Sequence, residues 1–479
     1  MTQDVEGLIQ HYRGQIRTIV EGRPWLVAMD VSVSAGRTGR MLMELGADRV
    51  LAIAASRGVG ELPPPEEVRC IDLGLEGETD MMEAIRRSGR ALADLPDWAQ
   101  AEVDRFDPDR EALVLENVFA SGDPVGGRSV YGPRCGSWQA LEDKMIIDAL
   151  WDDAGIDRAP SAIRPAELDA LWSAHGDMSF TGWGTVWVGD NREGWHGGAK
   201  LLRWVRSRTG AVDAHTFLAA SCDRVRVMPF LDGIPCSIHG WVFADRVIGF
   251  RPCEMLVFRV PGSDRLSYAG AATSWEPTDA VRESMERAVL RVGSHIRQRV
   301  GYRGSFTIDG VVTADGFLPT ELNPRFGGAL SRLSRGISDL PLYFLHVATM
   351  AGETLDYRPS ELQKLVRTQA ARHPVVRGMH MLEGVRHGEE RTQPLCRLGD
   401  GWREAQSEEQ ADAVLSMGPA AAGTVVFASV NEHAIRRGTS AAPEICRLLA
   451  FADELWDLGI GPLEPAPDLE RCATGIRGF

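Results

Sequence analysis

Between Pro319 and Gly328 the chain reads PTELNPRFGG, and a carboxylate, an amide and a guanidinium fall at every second position, at Glu321, Asn323 and Arg325. Residues two apart on an extended strand point to the same side, so these three predict one polar face directed into one site. Upstream, GYRGSFTIDGVVTADG carries an apolar-rich run ending at Asp309 and a turn signal at Ala314-Asp315-Gly316. Two strands joined by a short Asp-Gly turn make an antiparallel hairpin, which sets Asp309 beside Glu321 and Asn323. Hard divalent cations such as Mg2+ take oxygen from one or two carboxylates and complete their shell with phosphate oxygens, and Asp309, Glu321 and Asn323 offer that donor set. The planar fork of Arg325 suits a phosphate or a carboxylate. A solvated hairpin can also show an isolated E-x-N-x-R, so the weight of the reading rests on the surrounding segments.

From Arg23 the run RPWLVAMDVS predicts a buried strand, followed by a helix and a second strand, and EALVLENVF (Glu111 to Phe119) supplies another. This alternation is that of an open parallel sheet. Gly36-Arg37-Thr38-Gly39 departs from G-x-G-x-x-G and predicts a packing turn rather than an anion site. Residues 134 to 165 start acidic, continue as a helix with apolar positions three and four apart, stop at Gly155 and enter a strand at a proline, which puts Lys144 on an early helix turn. Thr185 to Val205 (TVWVGDNREGWHGGAKLLRWV) reads as a strand and then a loop with Gly189, Gly194, Gly197 and Gly198. Clustered glycines let backbone N–H groups converge on phosphate oxygens and leave the loop free to close as a lid; a flexible surface hairpin is the alternative.

Arg224 to Phe250 predicts two or three antiparallel strands turning at Asp232-Gly233 and Ala244-Asp245. Arg251 and Glu254, three residues apart, suit the carboxylate and ammonium of an amino acid, and a plain salt bridge explains them nearly as well. Residues 277 to 300 predict a long amphipathic helix with a Thr-Asp start, and DLPLYFLHVATMAGETLD a packing helix. The last hundred residues mix strands such as TVVFASV with a final helix, EICRLLAFADELWDLG.

Taken in succession, Lys144, the glycine loop, the Phe230-Leu231-Asp232-Gly233 turn and Asp309-Glu321-Asn323-Arg325 resemble the ATP-grasp superfamily. The resemblance implies an α/β chain, α+β in its nucleotide domain: an open parallel-sheet domain over 1–133, an ATP-grasp domain over 134–350 with a lid within about 160–235, and a C-terminal subdomain over 351–479. It implies ATP as substrate and Mg2+, or Mn2+ in its place, held by Asp309, Glu321 and Asn323. Glu142-Asp143-Lys144 matches the segment entering the nucleotide domain and gives Lys144 a phosphate contact, shared with Gly189, Gly197 and Gly198 of the lid. Where the family carries a second lysine on the strand before the lid, this chain has Val186, Trp187 and Val188; the resemblance leaves open whether Lys200, just past the loop, takes its place, with Arg192 or His196 to share the contact. Met228, Phe230 and Leu231 would face adenine, and Asp232 is the nearest carboxylate to the ribose. Arg325 and Arg251 take catalytic roles, and Arg251, Glu254 and Arg325 bind the substrate. The implied reaction is carboxylate–amine ligation through an acyl phosphate, with release of ADP and phosphate.

The GDNREGWHGGA and P-C-S-I-H-G segments look most like the pheganomycin-type peptide ligases of antibiotic pathways, which implies amino acid or peptide substrates. Other classes stay open beside it: loading of an amino acid onto the thiol of an acyl carrier protein, phosphorylation of a small molecule, or nucleotide binding without turnover. A homodimer is the assembly the resemblance allows.

The 479 residues exceed one compact core and suit two or three subdomains. A net charge of −15 with no basic block argues against nucleic acid or an anionic membrane as partner. Of 52 basic residues only Lys144, Lys200 and Lys364 are lysines, which makes each worth tracing. Eight scattered cysteines without C-x-x-C predict neither a zinc site nor a disulfide framework. No signal-like segment opens the chain and no run of 18 apolar residues occurs, so the cytoplasm is the expected compartment.

Overall fold

The computed structural model describes residues 3 to 466 apart from 78, 79, 121, 193, 195, 400, 408 and 409. The apolar run after Arg23 forms strand Pro24–Val31, buried along most of its length because neighbouring strands flank it on both sides. The sheet is parallel, in the order Arg69–Asp72, Arg49–Ser56, Pro24–Val31, Leu113–Glu116. The chain leaves Pro24–Val31 for a neighbour on one side and returns through Leu113–Glu116 on the other. Such a reversal opens a crevice at the carboxyl ends of the two strands. The Gly36 to Gly39 segment is not a turn: it lies inside helix Ser32–Glu44. A Cβ would come 2.5 Å from Pro63 Cδ at Gly36 and 2.7 Å from Val68 Cγ1 at Gly39, so these glycines let the helix press against the 63–68 segment.

A second sheet is antiparallel, ordered Ala162–Pro165, Arg224–Pro229, Thr185–Gly189, Leu202–Val205, and backed by helices Leu168–Met178 and Arg208–Ser221. Its two faces differ as period-two alternation requires. Trp187, Val205, Val225 and Val227 pack under the two helices, while Val186, Val188, Trp204, Met228 and Phe230 form a separate apolar slab on the other face. Residues 230 to 233 then carry the chain from strand Arg224–Pro229 into the central sheet at Ile234–Val242.

Among the described residues the central sheet has twelve strands, all paired antiparallel. It begins at hairpin Gly304–Thr313 and Gly316–Asn323 and passes through Ile234–Val242, Cys253–Arg259 and Leu266–Ala272. It continues without a break into Val376–Glu383 and Gly423–Val430, so the late strands extend the same sheet. Ile234–Val242 is buried on both faces. Helix Asp279–Val300 covers one side with Met285, Ala288, Val289, Val292, Gly293 and Ile296, and segments including Leu330–Leu333, Leu342–Ala351 and Pro359–Arg372 cover the other. The long helix starts where the Thr-Asp signal places it: Thr278 Oγ1 accepts from the Val281 amide, and Gly301 ends it at φ +64°. Among the described residues no helix is long and apolar enough to cross a membrane, and the seven described cysteines are free.

Candidate functional site

The hairpin sets Asp309 directly opposite Glu321, and Thr307 opposite Asn323. Leu322 points into the core at 1% exposure, which turns Glu321 and Asn323 to the other face. Asn323 Nδ2 donates to Asp309 Oδ2 at 2.8 Å, and Arg325 Nη2 donates to Asn323 Oδ1 at 2.7 Å. Gly327 is required just beyond: a Cβ there would lie 2.2 Å from Thr307 Oγ1 and 2.5 Å from His239 Nε2, so only glycine lets the chain turn over the hairpin.

Residues 134 to 153 close the site from the side. The expected single helix is instead a short helix Gly136–Gln139, a tight turn Ala140–Glu142 and a second helix Ile147–Asp153. Asp143 causes part of the break by accepting the Met145 amide at 2.9 Å, a side-chain turn that competes with helix. Lys144 therefore sits in the connection, where its Nζ donates to Glu321 Oε1 at 3.1 Å and to the His196 carbonyl at 3.4 Å. The buried carboxylate of Glu142 receives Arg134 and lies 3.3 Å from Arg325 Nε. The ring of Phe119, in the loop after strand Leu113–Glu116, lies 4.9 Å from the Arg325 guanidinium carbon. Charges thus alternate along Lys144, Glu321, Arg325, Glu142 and Arg134, with Asp309 the carboxylate that has no cation bonded to it.

Burial pushes Asp309 up to about 7, and the neighbouring charge of Glu321 adds to the rise. Burial acts on Glu321 in the same direction, but Lys144 and then Arg325 outweigh it and hold that carboxyl below its usual range. Asp309 directly opposite Glu321, with the Asn323 amide beside them, fits a divalent cation, which would take the place of the Asp309 proton. Among the described residues no group of three His, Cys, Asp or Glu side chains gathers.

Several expected site residues lie elsewhere or act differently. The Lys200 ammonium donates to Asp80 Oδ1 at 2.6 Å, tying the segment after the glycine loop to helix Met81–Ala93, which Asp80 caps. Arg192 reaches Asp223 at 3.1 Å and the Ala220 carbonyl, at the end of helix Arg208–Ser221. The buried His196 ring lies 3.1 Å from the Gly189 carbonyl; burial, with Lys144 nearby, pushes it down to about 4, so it is neutral and braces the loop through Nε2–H. Gly189 is confined by Cys222, whose sulfur a Cβ would meet at 2.2 Å, and Gly198 takes φ +60°. Gly197 opens the turn that precedes strand Leu202–Val205, its carbonyl accepting the Lys200 amide. Met228 and Phe230 belong to the apolar slab, with Phe230 stacked on Trp204 at 4.5 Å; Leu231 and Asp232 follow, half-buried, in the passage between the sheets.

Arg251 and Glu254 do not meet. Arg251 pairs with Glu276 at 2.8 Å. Glu254 is fully buried and accepts from Ser440 Oγ and from the Ala441 amide at 2.8 Å, at the start of helix Ala442–Trp456. The late part of the chain covers that face, so Glu254 cannot reach a substrate ammonium. This corrects its expected role.

Sequence reasoning passed over Arg226. It stands opposite Val188 in the second sheet, is 2% exposed, grips Asp148 at 2.5 Å and donates to the Thr320 carbonyl of the hairpin at 3.2 Å. It is the basic residue next to the strand where a lysine was expected, and alternation along RVRVMP was the available signal. The Asp30, Ser88 and Asn117 cluster at the sheet crevice was also missed; Ser88 donates to Asp30 at 2.7 Å and Asn117 at 3.3 Å.

No protein-family model and no curated protein sequence matches the chain. Solved structures do. The biotin carboxylase complex with β,γ-ATP from Campylobacter jejuni aligns over 87% of this chain and 89% of its own, at 12% identity and a TM-score of 0.53. The biotin carboxylase domain of the Hydrogenobacter thermophilus 2-oxoglutarate carboxylase, solved with MgADP, ADP and bicarbonate, aligns over 85% and 86%, at 14% identity and a TM-score of 0.51. The chain has the ATP-grasp fold. The second sheet and the hairpin are joined by Arg226 on the Thr320 carbonyl, and the glycine loop and the hairpin by Lys144, which reaches both the His196 carbonyl and Glu321.

Proposed function

We propose that the chain is an ATP-dependent carboxylate–amine ligase that acts through an acyl phosphate and joins amino acids or peptides, in the manner of peptide ligases of antibiotic pathways. The observation that carries this reading is the join of lid and hairpin at one point, with Lys144 bridging the glycine loop carbonyl of His196 and the carboxylate of Glu321. The His196 carbonyl of the glycine loop and the Glu321 carboxylate of the hairpin thus share one ammonium. That is where a triphosphate would need both a cradle and a cation.

Asp309, Glu321 and Asn323 would hold Mg2+ or Mn2+, which when bound neutralises charge on phosphate oxygens. Lys144 is placed to exchange Glu321 for a phosphate oxygen once ATP enters. A substrate carboxylate oxygen attacks the γ phosphorus, the bond from that phosphorus to the β-γ bridging oxygen breaks, and ADP leaves with that oxygen. The substrate amine then attacks the acyl carbon, loses a proton and expels phosphate. Arg325 is oriented by Asn323 and Glu142, so its fork is preset for the oxyanion that forms in this second step; one such donor is worth about 100- to 1000-fold in rate. The apolar slab of Val186, Val188, Met228 and Phe230 gives a purine a dry face, and the closed lid keeps water from the acyl phosphate. The test is trapping: with Mg-ATP, a panel of acids and hydroxylamine but no amine, the reading predicts a hydroxamate and one ADP per hydroxamate. A carrier-thiol loading enzyme would instead need its protein partner for any stable acyl product, and AMP in place of ADP would refute the reading.

A further inference from the structure

Beside the candidate site four arginines converge without acidic partners. Arg332 follows Arg325 on the segment that leaves the hairpin, with Arg335 just beyond; Arg377 lies on strand Val376–Glu383, and Arg37 on helix Ser32–Glu44 of the N-terminal domain. Burial pushes the Arg377 guanidinium down, and the charges that add to it are those of Arg332, Arg37 and Arg335, all positive. Among the described residues none of the four is paired with a carboxylate, in a chain of net charge −15 whose other arginines are widely paired.

The geometry keeps two of these forks in place. Arg332 Nη1 donates to the Gly328 carbonyl at 3.0 Å, its Nε is buried without a hydrogen-bond partner, and its Nη2 lies 3.4 Å from where a Cβ on Gly270 would stand. Gly270 takes φ +115°, so this strand position is glycine for its backbone and leaves room for the guanidinium against the sheet. Gly270 pairs with Gly378 and Ala271 with Arg377, which puts Arg377 on the adjoining strand, its guanidinium carbon 4.4 Å from the Phe427 ring. Tyr268 lies two residues before Gly270, partly exposed; Arg332 acts on its hydroxyl together with Asp309 and Arg325, so the arginine cluster and the candidate donor set border one another. Like charges crowd together at a cost, and an anion recovers it.

We propose that Arg332 and Arg377, with Arg335 and Arg37 at the rim, bind a second anionic group of the substrate, a carboxylate or phosphate separate from the carboxylate that is activated beside Arg325. The acid substrate is then at least dianionic. This rests on the ligase reading for the word substrate, but the anion site can be judged by itself.

The experiment is calorimetric titration of the full chain, with and without Mg-ADP, using inorganic phosphate, glutarate and acetate as probes. Phosphate or glutarate should bind saturably and more tightly than acetate, and which of the two binds better separates a phosphorylated from a dicarboxylic substrate. Arg332→Gln and Arg377→Gln should each weaken the preferred probe by about tenfold or more, Arg332→Lys by less, with Mg-ADP affinity unchanged. Arg335→Gln, at an exposed position, serves as the variant least able to disturb folding and should weaken binding modestly. Equal affinity in wild type and all variants, acetate binding as tightly as glutarate, or no dianion binding by wild type would overturn the proposal. Loss of Mg-ADP binding in the wild type would instead count against the ligase reading, while the arginine dependence of phosphate binding would still decide the anion site.

Discussion

Replacing Glu254 by Gln should separate a structural carboxylate from a substrate ligand, and its size can be worked from the fold. Burial raises this carboxyl from 4.5 to about 7, against the pull of Ser440 and the Ala441 amide. A raised folded-state value means that stability is fully present below the unfolded value near 4.5 and is lost as pH rises through about 7. Between pH 5 and pH 8 the wild type should lose about 2 to 3 kcal/mol that the glutamine variant, having no proton to release, keeps. Glutamine retains an acceptor for the Ser440 hydroxyl, so the variant should fold. Urea unfolding at the two pH values, followed at the C-terminal helix, should show the variant gaining on the wild type by that amount. Its kcat/KM for the amine should change little. A stability difference that does not vary with pH, or a selective rise in KM for the amine, would refute the reasoning and return Glu254 to the substrate.

Two further expectations follow from the site. Lys200 and Asp80 are each about one-third exposed, so their bond is worth at most about 1 kcal/mol. Lys200→Met and Asp80→Asn should therefore each raise KM for ATP less than about fivefold and, when combined, do no more than either alone; a far larger loss from Lys200→Met would make Lys200 a phosphate ligand. Gly327→Ala would press on Thr307 and His239, costing about 1 to 3 kcal/mol of stability and displacing Arg325, and should lower kcat more than it raises KM. Unchanged kcat with intact stability would show that the turn over the hairpin is not what aims Arg325.

Much of the fold was legible where the signal is local. Period-two spacing and an Asp-Gly turn were enough to place Asp309 against Glu321, and Thr278 with Gly301 marked the ends of the long helix. What could not be read is what depends on distant chain. Nothing near Lys200 announces Asp80, and nothing near Glu254 announces Ser440; a charged residue in a loop or on a strand looks the same whether it meets a ligand or a remote helix end. Gly36 and Gly39 looked like turn residues because glycine marks close approach as well as reversal, and only the packing of Pro63 and Val68 distinguishes the two. Arg226 was hidden for a third reason: its strand belongs to the second sheet but its side chain crosses to the hairpin.

The most direct test of the account is product mass with nucleotide stoichiometry. Mg-ATP, a panel of dianionic acids and amines, and the wild-type chain should give a product lighter by one water than its two substrates, with one ADP and one phosphate for each. Glu321→Ala should abolish both. ATP consumption that survives Glu321→Ala, or a condensed product formed without ADP, would contradict the assignment of the hairpin as the reacting centre.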